Sequence, residues 1–282
     1  MKFSKLLAGA AVVGAMSLTS TVANAGYEYL VQDAWQLTDS VGTSTNIGHL
    51  VFAGGQTTIT QALNNLGEVE IGARFMEYGA IYSLSYVQEN CAGACDSGPQ
   101  SVISGISGGN LELVFTGLTG SIDHINQDGS VVYKFDAGIG SIELKHNGVT
   151  LAEFAIADPS GGSLQNFFGA VNTSGTTNIL TAVSSALPGT FKDSSGVSLD
   201  SIIDAGDLFF SFDATNQINS PATAVACGND PLLGGATFCS QLTVTSQGKV
   251  DGLLRSVPEP ASLALFSLGL FGLVGFSRYR RA

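Results

Sequence analysis

The sequence predicts a mainly β protein: an antiparallel β-sandwich or jelly roll with a small helical insertion, followed by one C-terminal transmembrane helix. Three observations carry this expectation. The body alternates apolar and polar residues in short runs rich in Val, Ile, Thr, Phe and Tyr, side chains that suit a pleated, half-buried surface. Most of the chain's 36 glycines punctuate these runs with turn signals, while 44% apolar and only 12% charged residues over the whole chain exclude a disordered chain. Residues 261–277 then form seventeen consecutive uncharged positions close to the C-terminus.

Taken in order, residues 27–32 open the body, and residues 47–52 follow a polar Thr/Ser/Asn loop. Residues 67–74 place Val69, Ile71 and Ala73 on one face against Glu68 and Glu70 on the other, and residues 80–87 alternate again. Further strands are expected at 111–116, 130–135, 141–146 and 149–155. Asn147-Gly148 separates the last two and predicts a two-residue hairpin, because both residue types accept positive φ. Segments 208–213 and 240–245 bring the total to about ten strands. Residues 164–171 and 177–187 space their apolar side chains as a helix would, Pro188-Gly189 ends the second, and residues 57–66 read as a third helix. No repeat of 20–50 residues stands out in the chain, which disfavours solenoids and propellers.

Both ends of the chain read as addresses. Lys2 and Lys5 precede an apolar stretch over residues 6–18, and Ala23 and Ala25 supply the small residues a signal peptidase reads. Cleavage after Ala25 is expected, giving a mature chain from Gly26. At the other end Pro258, Glu259 and Pro260 precede the uncharged run, and Arg278, Arg280 and Arg281 follow it. Seventeen helical residues span roughly 26 Å, the short end of what crosses a bilayer core. The arginines favour a cytoplasmic C-terminus, leaving the rest outside. Two prolines one residue apart keep the Pro-Glu-Pro triplet out of regular helix and central strand, extended at the membrane surface. Gly269, Gly272 and Gly275 give the tail helix a small-residue packing face. The expected organisation is therefore a signal peptide (1–25), a secreted β-rich domain (26–256) and a sorting tail (257–282).

This tail resembles the PEP-CTERM sorting domain of Gram-negative bacteria, over residues 257–282 and without visible departure in order or spacing. The resemblance implies recognition by exosortase, with Pro258, Glu259 and Pro260 as the sorting motif and Arg278, Arg280 and Arg281 as the cytoplasmic basic stop. It also implies an exopolysaccharide-rich setting, in which such proteins serve in biofilm, sheath or floc.

Composition narrows the partners. With the signal lysines, the tail arginines and Glu259 set aside, the body keeps six basic and 22 acidic residues. Such a surface attracts cations and offers no basic patch to phosphates, which excludes nucleic acid. Four cysteines suit an oxidising compartment, and of the three pairings available to Cys91, Cys95, Cys227 and Cys239, sequence-local bridges are preferred. Their spacings match no usual zinc ribbon.

Little in the body points to catalysis. His49, His124 and His146 stand apart, and His146 reads as a surface residue at a strand end. Ser107 centres a formal G-x-S-x-G match, but a Cys/Gly/Pro loop precedes it and a strand follows, where a nucleophile elbow needs strand then helix. Asp200, Asp204 and Asp207 are candidate Ca²⁺ ligands, as are Asp123 and Asp128, although neither set fits an EF-hand loop; solvated turn acids are the preferred reading. Trp35, Tyr27, Tyr29, Tyr78, Tyr82 and Tyr86 are candidates for stacking on sugar rings. The expected function is non-catalytic, without a required cofactor: an exported surface or matrix protein associated with extracellular polysaccharide. The alternatives are a carbohydrate-binding module and a polysaccharide-modifying hydrolase.

Overall fold

Long strands, rather than many short ones, set the architecture. The computed structural model describes residues 28–256 apart from 32–33, 41, 45, 83, 89–110, 166–173 and 219–221. The chain divides into a unit spanning Leu30–Leu254 and a second made of Met1–Tyr29 and Arg255–Ala282. Of the second unit only the ends of β1 (Glu28–Val31) and β14 (Phe238–Ser256) are described.

The larger unit is a closed antiparallel barrel of eight strand positions, not a sandwich. In order around the wall come β3 (Ile47–Leu63), β4 (Arg74–Tyr82), β6 (Leu111–Ile125), β7 (Val131–Phe135), β9 (Val149–Leu164), β10 (Ser174–Ala186), β12 (Leu208–Ile218) and β14. Pairing of β14 with both β12 and β3 closes the ring. Three positions are interrupted strands. β5 (Ser85–Gln88) continues β4 along β3, β8 (Ser141–His146) continues β7 between β6 and β9, and β13 (Thr223–Ala226) continues β12 along β14. Closure removes the exposed edges that a sandwich keeps.

Glycine makes the curvature affordable in space. A Cβ on Gly248 would stand 1.9 Å from the Asp213 carbonyl oxygen, and one on Gly120 would stand 2.2 Å from that of Lys134. Neighbouring strands therefore approach more closely there than any side chain permits. The Asn147-Gly148 turn forms as expected, with φ of 51° and 78°, and pairs His146 with Val149.

The barrel is apolar inside and polar outside. Along β6, Leu111, Leu113, Phe115, Leu118 and Ile122 are buried, while Glu112, Thr116, Ser121 and Asp123 are partly or fully exposed. This is the reverse of a lipid-facing barrel, whose apolar band points outward. At the end where β14 finishes, β2 (Trp35–Leu37), β11 (Phe191–Asp193) and α1 (Asp200–Ala205) join the core. Phe210 meets Trp35 and Phe154 edge-on, each at 5.4 Å between ring centres, and Phe191 at 5.3 Å. Such pairs add about 0.5–1.5 kcal/mol each beyond burial.

Several expectations are corrected. The helix expected at 177–187 is β10, and the one expected at 57–66 lies largely within β3. In β10, Ile179, Thr181 and Val183 are buried, yet outward Leu180 is buried as well. With both faces apolar at this point, the period of two is lost and helical spacing appears by coincidence. Buried Ser160 is tied to the backbone here: its hydroxyl accepts from the Leu180 N–H at 2.9 Å and donates to the Ala157 carbonyl at 2.6 Å. Residues 67–73 form the loop between β3 and β4 rather than a strand. Of the helix expected at 164–171, Leu164 ends β9 and residues 166–171 lie outside the described residues. The described helices are α1 and a 3₁₀ turn at Pro231–Leu233. Among the described residues no helix is long and apolar enough to cross a membrane. The helix expected at 261–277 lies outside them.

Candidate functional site

Much of what the sequence singles out falls outside the described residues: Pro258, Glu259, Pro260, Arg278, Arg280, Arg281, Ala23, Ala25, Cys91, Cys95, Ser107 and Tyr27. The Tyr29 side chain lies outside the description as well; the other residues can be placed. Cys227 and Cys239 form a disulfide with a Cα separation of 5.3 Å, the sequence-local pairing expected for them. Both sulfurs lie in a small apolar cluster with Ala62, Met76 and Leu233.

The acidic candidates do not converge. Asp200 caps the preceding turn, both carboxylate oxygens accepting from the Gly189 N–H at 3.0 Å. Asp123 pairs with Lys134 at 3.2 Å, and Asp128 binds the Ser130 N–H and hydroxyl at 2.9 and 2.7 Å. Those two hydrogen bonds from Ser130 lower the Asp128 pKa. Among the described residues no three His, Cys, Asp or Glu side chains group as metal ligands, Asp200, Asp204 and Asp207 included.

His146 is not a surface residue. It is buried, and its Nδ1 pairs with the Asp39 carboxylate, itself buried. The sugar-stacking set is also divided. Trp35 and Tyr86 are core residues, at 2% and 4% exposure, whereas Tyr78 and Tyr82 face outward on β4 at 41% and 57%. The Trp35 indole Nε1 is buried without a hydrogen-bond acceptor. A stacking platform can therefore draw only on Tyr78 and Tyr82 among these four.

Sequence reasoning missed two features. The first is a polar outer face on β9, β10, β12 and β14, carrying two adjoining grooves of about 340 and 420 Å³. Thr176, Asn178, Asp213, Thr215, Gln247 and Lys249 present hydroxyl, amide and charged groups there. Asn178 donates to Asp213, and Lys249 pairs with Asp251 at 2.6 Å. No local motif announces this face; only the register of four strands assembles it.

The second is Glu77, a half-buried residue of β4 that lines two small, partly open cavities of about 30 Å³ each. Ile59, Phe75, Ile122, Val131, Leu164 and Val244 make the first cavity largely apolar. Polar residues line both cavities: Gln61, Tyr133 and Asn216 the first, and Thr57, Thr177, Asn216 and Ser246 the second. The Tyr133 hydroxyl contacts the Thr177 hydroxyl, Asn216 Nδ2 donates to that same oxygen, and Asn216 Oδ1 accepts from Ser246 at 2.8 Å. Gln61 commits its Nε2 to the carbonyls of Ala62 and Arg74 at 3.1 and 3.0 Å, leaving Oε1 as an acceptor. Burial pushes the Glu77 carboxyl up to about 7. Tyr133 is raised as well, first by burial and further by the charge of Glu77, against the lowering effect of Thr177 and Asn216. The alternation of Phe75, Glu77, Gly79 and Ile81 was legible in the sequence, but the face-on assignment used residues 67–74 and stopped short of it.

The described residues form a closed antiparallel β-barrel with a polar outer face. Residues 256–281 match the family described as the PEP-CTERM protein-sorting motif, so the chain carries a PEP-CTERM sorting signal. That signal implies a secreted protein with a membrane-anchoring C-terminal segment, processed by exosortase. No curated protein and no solved structure matches the chain.

Proposed function

We propose that this chain is a non-catalytic surface or matrix protein that exosortase releases from its membrane anchor and that associates with extracellular polysaccharide in biofilm or floc. The observation that carries the reading is the sorting motif at 256–281. The barrel supports it, because a polar exterior around an apolar, glycine-bent interior suits a durable module standing in water. The mechanism is passive: export by signal peptidase and the secretory route, a pause at the membrane, then delivery outward. The test is to delete residues 257–282 and follow the protein by fractionation. Loss from the surface fraction, together with weakened aggregation of cells lacking the gene, is expected. Unchanged placement of the truncated chain overturns the reading.

A second reading, a carbohydrate-binding module, is favoured by the polar grooves on β9–β10–β12–β14 and by outward Tyr78 and Tyr82. It predicts retention of the protein on the host's own polysaccharide, weakened when Asn178 or Gln247 is replaced by alanine. Retention that ignores both substitutions and Tyr82→Ala would sink it.

A further inference from the structure

Outward side chains cross the barrel wall in rows at the outer grooves. Strand pairing sets Gly161, Asn178, Asp213 and Lys249 side by side, with Thr176, Thr215 and Gln247 in the next row. Thr215 and Gln247 line both grooves, so the two form one trough. It runs about 13 Å along β12, from Asp213 to Gln217, and about 14 Å across from β9 to β14, a footprint for a few sugar rings. Its floor is bare at two ends, where Gly161 on β9 and Gly54 on β3 carry no side chain.

The charges on this face are already paired. Among the described residues Lys249 is the one Lys or Arg lining either groove, and it lies 2.6 Å from Asp251 and 4.0 Å from Asp213. Beyond β9, Lys134 pairs with Asp123 at 3.2 Å. Two carboxylates around one ammonium leave the trough slightly negative, on a body with 22 acidic and six basic residues. A uronate or sulfate laid here meets repulsion and no uncommitted cation. The groups left over are neutral: Thr215, Gln217 and Gln247 are exposed, and their hydroxyl and amides offer both donors and acceptors to sugar hydroxyls. Building on the carbohydrate-binding reading, we propose that this trough takes an uncharged, hydroxyl-rich polysaccharide and rejects acidic ones.

Recognition in the trough is by hydrogen bonds, since no aromatic residue lines either groove. Each such bond replaces one to water, so a single short sugar is held weakly. A long polymer is held better, because many copies of the protein engage it at once. No ion pair forms, so binding to the neutral polymer is insensitive to salt, whereas an acidic polymer drawn to Lys249 is shed as ionic strength rises.

The test uses the full chain in detergent. The host's extracellular polysaccharide is split on an anion exchanger into an unbound neutral pool and a retained acidic pool, and each is coupled to beads. The neutral pool is expected to retain the chain equally at about 20 and 300 mM NaCl. Gln247→Ala and Asn178→Ala, both exposed and free of packing roles, should each weaken that retention about fivefold. The acidic pool should retain nothing at either salt. Retention by the acidic pool overturns the proposal while keeping the carbohydrate-binding reading. Neutral-pool retention that ignores both substitutions places the sugar elsewhere on the chain and overturns it as well. Retention by neither pool sinks the carbohydrate-binding reading itself, and the proposal with it.

Discussion

At the residue scale, Glu77 and Asp136 pull stability in opposite directions with pH. For Glu77 the folded value of about 7 lies above the ordinary 4.5. Below 4.5 both states are protonated and nothing is lost. Between 4.5 and about 7 the unfolded chain releases its proton first, so stability falls as pH rises. The deficit levels off above 7 at about 3 kcal/mol, by about 1.4 kcal/mol per unit. Urea unfolding at pH 5 and pH 8 checks this, and Glu77→Gln should flatten the difference. Asp136 behaves oppositely. Burial raises its pKa, but hydrogen bonds from Arg74 (3.0 Å from Nη1) and Thr119 (2.7 Å) outweigh that and lower it. Its contribution is therefore present above about 3.8 and is lost as pH falls further. Removing the carboxyl in Asp136→Ala is expected to cost about 2 kcal/mol near neutral pH, because a bidentate, charge-assisted contact disappears.

At the scale of elements, the strands hold where glycine and turn chemistry agree. Asn147-Gly148 was readable because its two residues both favour positive φ, and the structure places the turn there. β8 likewise begins and ends where its alternation predicts, at Ser141 and His146. β10 was not readable, since Leu180 is covered from outside and erases the pattern. The β12–β14 seam depends on Gly248. Ala at that position would place a Cβ 1.9 Å from the Asp213 carbonyl and 2.9 Å from the Ala214 Cα. Both obstacles are backbone, so the strands must separate, and Gly248→Ala should lose about 3 kcal/mol or more in denaturant titration. The Cys227–Cys239 bridge closes a twelve-residue separation. Replacing both cysteines by serine should cost about 3 kcal/mol on chain-entropy grounds, read from unfolding with and without reductant.

At the scale of the whole molecule, function divides between an address and a body. A chain ending at residue 256 should purify from the exported fraction without detergent, because outward positions such as Thr116, Asn178 and Gln247 are polar. Aggregation that detergent reverses would instead indicate a lipid-facing wall. Replacing Pro258 and Pro260 with alanine should leave the protein in the membrane fraction, read by immunoblot of separated envelopes, since alanine removes the two prolines of the sorting motif that keep a chain out of regular helix. The C-terminal sorting motif and the mainly β character were legible in the sequence alone, and the Cys227–Cys239 pair was the preferred one among three possible pairings. Each is local: a few residues in fixed order carry the signal. Closure of the strands into a barrel, the buried Asp39–His146 pair, the outer grooves and the half-buried placement of Glu77 were decided only by tertiary structure. Each depends on residues far apart in sequence, brought together when β14 pairs with β3, and no pattern of period two distinguishes a strand that closes a ring from one that stops at an edge.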